Sequence, residues 1–526
     1  MLYNGSKILI EQLKAQGVKF IFGYPGASVL PIYDCLYSDK SIKHVLAVSE
    51  AGAVFMADGY ARASRDVGVC LATSGPGATN LVTGIASAFM DSVPLVIITG
   101  NVPIKNLGHD AFQEVDTSGI TMPITKYNYI VKDISKLAFI VSEAFSLANS
   151  GRKGPVLIDI PFNIFSETSE YVAPENPVYL NKTIIKDELT NSVNQINSAK
   201  RPMIYVGGGV ISSGTSNEVI ALSEKLNAPI VVSLMGIGAV STSHPNYVGV
   251  GTSKNVLSRE ILKACDLFIC LGARFSNKAL ELNFASKNTK LLHLDIDRAE
   301  IGKNLHADAQ LVGDLKYTLP SLINNVSQKS TLWISEVKSM RNSIKTTLTV
   351  PNSWINVISK HYGSQQIVAT DVGQHQLFVA NYYPFDHPSC FISSCGLGSM
   401  GYGLGAAIGA HLATSKQVIL ITGDGSFNMN FNELLTAVNL NIPITIFVFN
   451  NHSLGMIREL QSKQYHGRFI ASEQGGKLNY ARLGEVFGAQ GFTAKSPDEL
   501  ASLLKTIDIN RPTVIDCLIS KNEKSM

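Results

Sequence analysis

The chain has 526 residues, 45% hydrophobic and 16% charged, which leaves apolar material for several cores and excludes a disordered protein. Its 44 Lys and Arg nearly balance 41 Asp and Glu, leaving a formal charge of +3, and no basic block is long enough for a nucleic-acid footprint. Seven scattered cysteines without CxxC spacing argue against a zinc site or disulfide framework and for a reducing, cytoplasmic setting. The opening segment MLYNGSKILIEQL lacks a basic region and an unbroken apolar run, so it does not read as a signal peptide. The best candidate span, Cys395 to Ala413, carries six glycines, which suit close packing in a water-soluble core better than a membrane helix.

At about 150 residues per domain the length suggests three or four domains. Short β-branched runs alternate with helical patterns, so the expected class is α/β, with doubly wound parallel sheets covered by helices. In a first unit, residues 1–165, the segments VKFIFGYPG, VGVCLATSGPG and PLVIITG read as strands entering glycine turns. HVLAV reads as a strand before Glu50, while Glu50 to Ala63 and Ala78 to Met90 carry helical spacing. Residues 166–186, with Pro174 and Pro177, read as a linker. A second unit, 187–326, holds RPMIYVGGGV, APIVVSL, DLFICLGARF and KLLHLDID, and fades into a polar stretch at 327–353. The third, 354–526, holds QQIVATDVG, KQVILITGDG, PITIFVFNN and PTVIDCLIS. The first and third units share a strand-then-glycine-turn grammar, which suggests duplicated folds.

The strongest chemistry lies in the third unit. One apolar strand ends in Gly423-Asp424-Gly425-Ser426 and a second ends in Asn450-Asn451, with Asp424 and Asn451 27 residues apart. That spacing holds one helix and a return strand, so an acid and an amide reach the carboxyl ends of neighbouring strands, where open α/β sheets bind ligands. A diphosphate needs a hard cation with oxygen ligands and backbone N–H groups at a helix start. Asp424, Asn451 and the Ser453 carbonyl supply the ligands, and the glycines allow close backbone approach. A lone GDG would be an ordinary turn; its pairing with NN reverses that reading.

GDG followed by NN resembles the thiamine-diphosphate (ThDP) motif. GYPGASVLPIYD, SEAGAVFMADGYARA, ATSGPGATN, DAFQEVD, TDVGQHQ and GDGSFNMNFNELLTAV are similar to acetolactate (acetohydroxyacid) synthase catalytic subunits, over nearly the whole chain. The resemblance implies three domains: one for the cofactor's pyrimidine, a central Rossmann-like one, and one for the diphosphate with Mg²⁺. It implies that Glu50 is the carboxylate that activates the cofactor through its aminopyrimidine, where burial would favour proton sharing. Bare sequence would make Glu50 only a helix-opening acid. Met400, beside Gly398, matches the bulky residue that holds the cofactor bent; Pro25, Gly26, Gly373, Gln374, His375, Leu454, Gly455 and Met456 fall on positions flanking it.

The family's reaction is decarboxylation of a 2-oxo acid, pyruvate here, and transfer of the two-carbon unit to a carbonyl acceptor. Gly26, Phe112, Gln113 and Lys126 fall on pocket positions, although a surface lysine is the commoner fate of such a residue. The acceptor side departs from the pattern. Leu460 replaces a tryptophan, Lys278 an arginine whose fork matches a carboxylate, and Val48-Ser49 an Arg-His pair. These changes point to an acceptor other than a second 2-oxo acid, for example a keto-deoxysugar nucleotide. The alternatives are a true acetolactate synthase, a pyruvate oxidase or decarboxylase, and a non-catalytic cofactor-binding subunit. No His-His pair of the kind decarboxylases use is present.

The middle unit matches FAD-binding members in order. Gly207, Gly208 and Gly209 would form the turn, Arg274 would meet the diphosphate, and Asp295, Asp297 and Asp314 the ribose or adenine end. A lone glycine triplet is weak evidence, and Val250-Gly251-Thr252-Ser253 replaces the family's GMHG. The resemblance also implies a homodimer or homotetramer, in which the first unit of one chain faces the third of another, and leaves a regulatory subunit open.

Overall fold

The computed structural model describes residues 1–179, 182–252, 255–275, 289–344, 350–474, 476 and 478–525. A short strand, β1 (Leu2–Asn4), opens the chain. The first large sheet contains β2 (Phe20–Gly23), β3 (Lys43–Leu46), β4 (Gly68–Ala72), β5 (Leu95–Asn101), β6 (Tyr127–Ile130) and β7 (Val156–Pro161), in spatial order β3-β2-β4-β5-β7-β6. All its pairings are parallel. Every residue of β4, β5 and β7 is buried, which explains their unbroken apolar sequences. β8 (Thr168–Glu170) then pairs antiparallel with β1, inside a stretch the sequence suggested was only a linker.

The second sheet, β9 (Pro202–Val206), β10 (Ile230–Val232), β11 (Tyr247–Val250), β12 (Leu267–Leu271), β13 (Lys290–Asp295) and β14 (Ala309–Val312), runs β11-β10-β9-β12-β13-β14. This is the dinucleotide-fold order, with its switch point between β9 and β12. The polar stretch after it is not merely a linker: it contains the helix Trp333–Ser343, whose Trp333 is 1% exposed and donates its ring N–H to the Pro202 carbonyl at 2.9 Å.

The third sheet, β15 (Ile367–Thr370), β16 (Phe391–Ser393), β17 (Val418–Gly423), β18 (Ile444–Asn450), β19 (Gln490–Ala494) and β20 (Thr513–Leu518), runs β16-β15-β17-β18-β20-β19. Its winding is the same as that of the first sheet, strand for strand, in line with the duplicated grammar of the two sequences. These two sheets belong to one compact unit and the second sheet to another.

Within the first unit the two sheets are joined by helices α1 (Glu50–Ser64) and α2 (Tyr402–Thr414). Both are built from small residues, and a Cβ at Gly59, Gly405 or Gly409 would strike the backbone of the facing helix. Buried polar groups fasten the crossing. The Tyr402 hydroxyl donates to Asp58 at 2.5 Å, Arg62 pairs with Asp58 at 2.6 Å and with Asp91 at 2.8 Å, and Asp91 accepts the Cys395 and Gly396 N–H groups. Gly409→Ala is therefore expected to destabilise the protein by about 1–3 kcal/mol through overpacking, read as a lowered thermal midpoint. Among the described residues no helix is long and apolar enough to cross a membrane, and all seven cysteines are free thiols.

Candidate active site

The carboxyl ends of β15, β17 and β18 converge at the switch point of the third sheet. After β15, Asp371 accepts the Thr422 hydroxyl at 2.8 Å and the Gly403 N–H at 3.0 Å, and the Ser426 hydroxyl donates to the Val372 carbonyl at 2.8 Å, so the loops after β15 and β17 are locked together. Asp424 opens the helical turn Asp424–Phe427. A single backbone N–H, that of Ser453, reaches both the Asp424 carboxylate (3.2 Å) and the Asn451 side-chain oxygen (2.9 Å). Two of the expected metal ligands thus meet around one point, with Ser453 at it.

This cradle fits a cation-bridged diphosphate. The Asp424 carboxyl is 3% exposed, has no basic partner among the described residues, and is pushed up to about 6, chiefly by burial; a divalent cation would supply a counter-charge. His375 is buried, its pKa lowered to about 3 by desolvation, and its Nε2 finds no partner. Its ring lies where a Cβ on Gly373 or Gly423 would fall. A Cβ on Gly425 would meet Leu454 and Gln474, with the Met400 methyl 3.7 Å away, and one on Gly455 would meet Gln374 and Asn451. At each of these glycines a neighbouring side chain stands within 3.0 Å of where a Cβ would be, so the close packing of the cradle requires glycine there. Gly398, with φ +76°, turns the chain before Met400.

The second cluster lies at the matching switch point of the first sheet. Glu50 is the first residue of α1, and its Oε2 accepts from Asn80 Nδ2 at 3.0 Å. Its Oε1 lies 3.4 Å from the position of a Cβ on Gly77. Gly26 abuts Thr73, and Gln113, itself in the left-handed region, packs on Gly75. The structure thus gathers Glu50, Gly26 and Gln113 around the turn Thr73–Gly77. Burial first, and Glu50's charge among the lesser causes, push the Tyr33 hydroxyl and the Cys70 thiol up, marking a poorly solvated pocket wall. Among the described residues Glu50 and Asp424 share no hydrogen-bond partner.

Other expected residues lie apart. Pro25 is exposed, and so is Phe112, at 88%. The Lys126 ammonium donates to the Leu147 and Ser150 carbonyls at 2.5 and 2.6 Å, capping the helix Leu137–Asn149. Lys278 lies outside the described residues. Leu460 is 43% exposed on helix α3 (Gly455–Gln464), which begins directly after the Asn451 loop and whose second residue is Met456.

In the second unit, Gly207–Gly209 and Arg274 follow β9 and β12, the two strands that flank the switch point, and Asp295 ends the next strand, β13. The turn is partly closed by its own backbone, however. Gly207 and Gly209 donate to the Leu271 and Gly272 carbonyls, and a Cβ on either would strike Gly272 or Ala273. Asp295 accepts the Asp297 N–H, and Asp314 caps the helix Leu315–Asn325.

Three residues of the active-site region escaped the sequence reading. Gln474 reaches Gly425 because residues 472–474 run antiparallel beside 452–454, and its side chain accepts from Asn428. Glu459 accepts from the Gln374 amide at 3.2 Å and pairs with Lys463 at 2.5 Å. Glu433 lies beneath the start of α1. Glu433 stands in GDGSFNMNFNELLTAV and Glu459 next to Leu460, but neither was singled out, and Gln474 stands in no motif.

Comparison with known proteins accords with this geometry. Residues 3–120 match the N-terminal thiamine-pyrophosphate (TPP) binding domain of thiamine pyrophosphate enzymes, 189–322 the central domain and 371–517 the C-terminal TPP binding domain. The chain is 40% identical over 538 residues to the acetolactate synthase large subunit of Lactococcus lactis, covering 99% of this chain and 93% of that protein. It is 37% identical over 553 residues to the isozyme 3 large subunit of Escherichia coli, covering 99% and 96%. To a probable acetolactate synthase large subunit of Methanococcus aeolicus it is 39% identical over 551 residues, covering 98% and 92%.

Proposed function

We propose that this chain, which belongs to the acetolactate synthase large-subunit family of thiamine-diphosphate enzymes that form carbon–carbon bonds, takes pyruvate as donor and passes its two-carbon unit to a carbonyl acceptor other than a second 2-oxo acid. The observation that carries the catalytic reading is the convergence of Asp424 and Asn451 on one N–H, that of Ser453. When bound, ThDP supplies the carbanion sink for decarboxylation and bond formation. The residues do the rest. Asp424, Asn451 and the Ser453 carbonyl would hold Mg²⁺ and through it the diphosphate. Met400 and Leu454 would fix the cofactor's shape, and Glu50 would hold a proton at the aminopyrimidine. By resemblance to the family, in which the first unit of one chain faces the third of another, the reading includes at least a dimer.

The acceptor reading is supported by Glu459 and Leu460. Glu459, tied to Gln374, places a carboxylate beside an aliphatic side chain where the family carries an indole, and a second carboxylate would meet the charge of Glu459 and lose the indole. A neutral, hydroxyl-rich keto sugar carried on a nucleotide suits that wall better. The second reading, acetolactate synthesis from two 2-oxo acids, is favoured by the identity along the whole chain. Incubating protein, ThDP, Mg²⁺ and pyruvate with 2-oxobutyrate or with a nucleotide-linked keto sugar, and identifying products by mass, decides. Efficient acetolactate or acetohydroxybutyrate formation overturns the sugar reading, and a branched sugar supports it. FAD is the proposed ligand of the central domain, with Arg274 and Asp295 as its contacts. Purified protein is then expected to show flavin absorbance at about one equivalent per chain; its absence after reconstitution with FAD would remove that ligand.

A further inference from the structure

Glu433 has no solvent exposure and sits nine residues beyond Asp424 on the same loop system. Its carboxylate does not face the metal cradle. It gathers donors from the chain entering α1: the Val48 N–H lies 3.1 Å from both of its oxygens, and the Ser49 N–H and hydroxyl lie 3.0 and 3.2 Å from Oε1. The Thr436 hydroxyl fills the remaining position on Oε2, at 2.7 Å. Gly52 lacks a side chain where one would collide with this carboxylate, and the Ser49 hydroxyl also caps α1 by accepting the Gly52 N–H at 3.1 Å. The residue immediately after these contacts is Glu50.

We propose that Glu433 is a positioning residue for Glu50: a carboxylate from the diphosphate-binding half grips the two residues before Glu50 and sets where the Glu50 carboxylate stands. The proposal rests on the reading of Glu50 as the group that faces the cofactor's aminopyrimidine. Charge-assisted bonds to a buried carboxylate are stronger and shorter than neutral ones, so a grip of this kind holds a side chain more tightly than an ordinary N-cap. Glutamine cannot replace it. The amide keeps one accepting oxygen and turns an NH₂ toward a backbone N–H of Val48 or Ser49, donor against donor, and only the Thr436 hydroxyl can turn to accept from it. A shift of about 1 Å in a catalytic group costs on the order of 100-fold in rate.

The test uses the full-length holoenzyme loaded with ThDP and Mg²⁺, and reads exchange of the thiazolium C2 proton for deuterium by NMR, alongside ThDP affinity, kcat and KM for pyruvate. Glu433→Gln is expected to slow exchange and kcat together by about 10- to 100-fold, with ThDP affinity and KM unchanged. Glu50→Gln slows exchange at least as much. Exchange at the wild-type rate in Glu433→Gln, with Glu50→Gln slowed, overturns the positioning role and leaves that of Glu50 intact. Wild-type exchange in Glu50→Gln overturns the underlying reading. A Glu433→Gln protein that loses ThDP affinity while its bound fraction exchanges normally also overturns the proposal. Should Glu433→Gln fail to fold, Ser49→Ala decides: it removes one donor and the cap, and it must slow exchange with native ThDP affinity or the proposal falls.

Discussion

Glu50→Gln is expected to lower kcat by about 10²- to 10⁴-fold, the range a positioned proton-transfer group supplies. The substitution keeps the shape and one accepting oxygen, so the Asn80 contact survives, while the carboxylate's capacity to share a proton is lost. KM for pyruvate and ThDP affinity are expected to stay near wild-type values, since Glu50 stands apart from the cradle that grips the diphosphate. A steady-state kcat and KM comparison, with cofactor binding followed by fluorescence titration, checks this. A fall in affinity that accounted for the whole loss of activity would instead make Glu50 a binding residue.

Asp424→Ala is expected to act on the opposite quantity. With the acidic ligand gone, the Mg²⁺-dependent affinity for ThDP should fall by more than about 100-fold. The apoprotein should not suffer. Burial already pushes the Asp424 carboxyl up to about 6, so near neutral pH the ligand-free protein carries an uncompensated buried charge that alanine removes. The apo thermal midpoint is therefore expected to stay level or rise. Wild-type protein at about 100 Kd of cofactor should gain about 2.7 kcal/mol, and the variant should gain almost none under the same conditions. Chelating the metal from wild-type protein should reproduce the variant's melting curve. A variant that melts early without cofactor would mean that Asp424 is structural first.

How far such sites can be read from sequence depends on how local they are. The strand ends at Gly423–Ser426 and Asn450–Asn451 announced themselves because each apolar run stops in a glycine or asparagine turn, and a strand of fixed rise leaves little choice about where that turn goes. Gly26, Glu50 and Gln113 needed the family resemblance, but the fold does gather them around one turn. Gln474 was illegible: a backbone pairing between 452–454 and 472–474 brings it to Gly425, and its neighbours in sequence are polar and without period. The helix Trp333–Ser343 was passed over because its composition is charged, although Trp333 and Val337, four residues apart and both buried, mark its inner face. The glycine triplet at 207–209 carries a contact that its sequence does not announce. It looked like a phosphate turn, and two of its N–H groups are used to close the protein's own backbone.

The crossing of α1 and α2 has a consequence for how the active site can breathe. Two helices that seat backbone on backbone, with a buried Arg–Asp–Tyr clasp beside the contact, have one register and no neighbouring one to slide into. The first and third sheets then behave as a single casting, and rocking one against the other is not an available way in or out. The segment from 452 to 474 is tied down beside them by backbone bonds between 452–454 and 472–474, the Ser453 hydroxyl on the Ser472 carbonyl, Asn428 on Gln474 and an ion pair between Arg458 and Glu473. With both walls fixed in this way, turnover does not depend on one sheet sliding against the other.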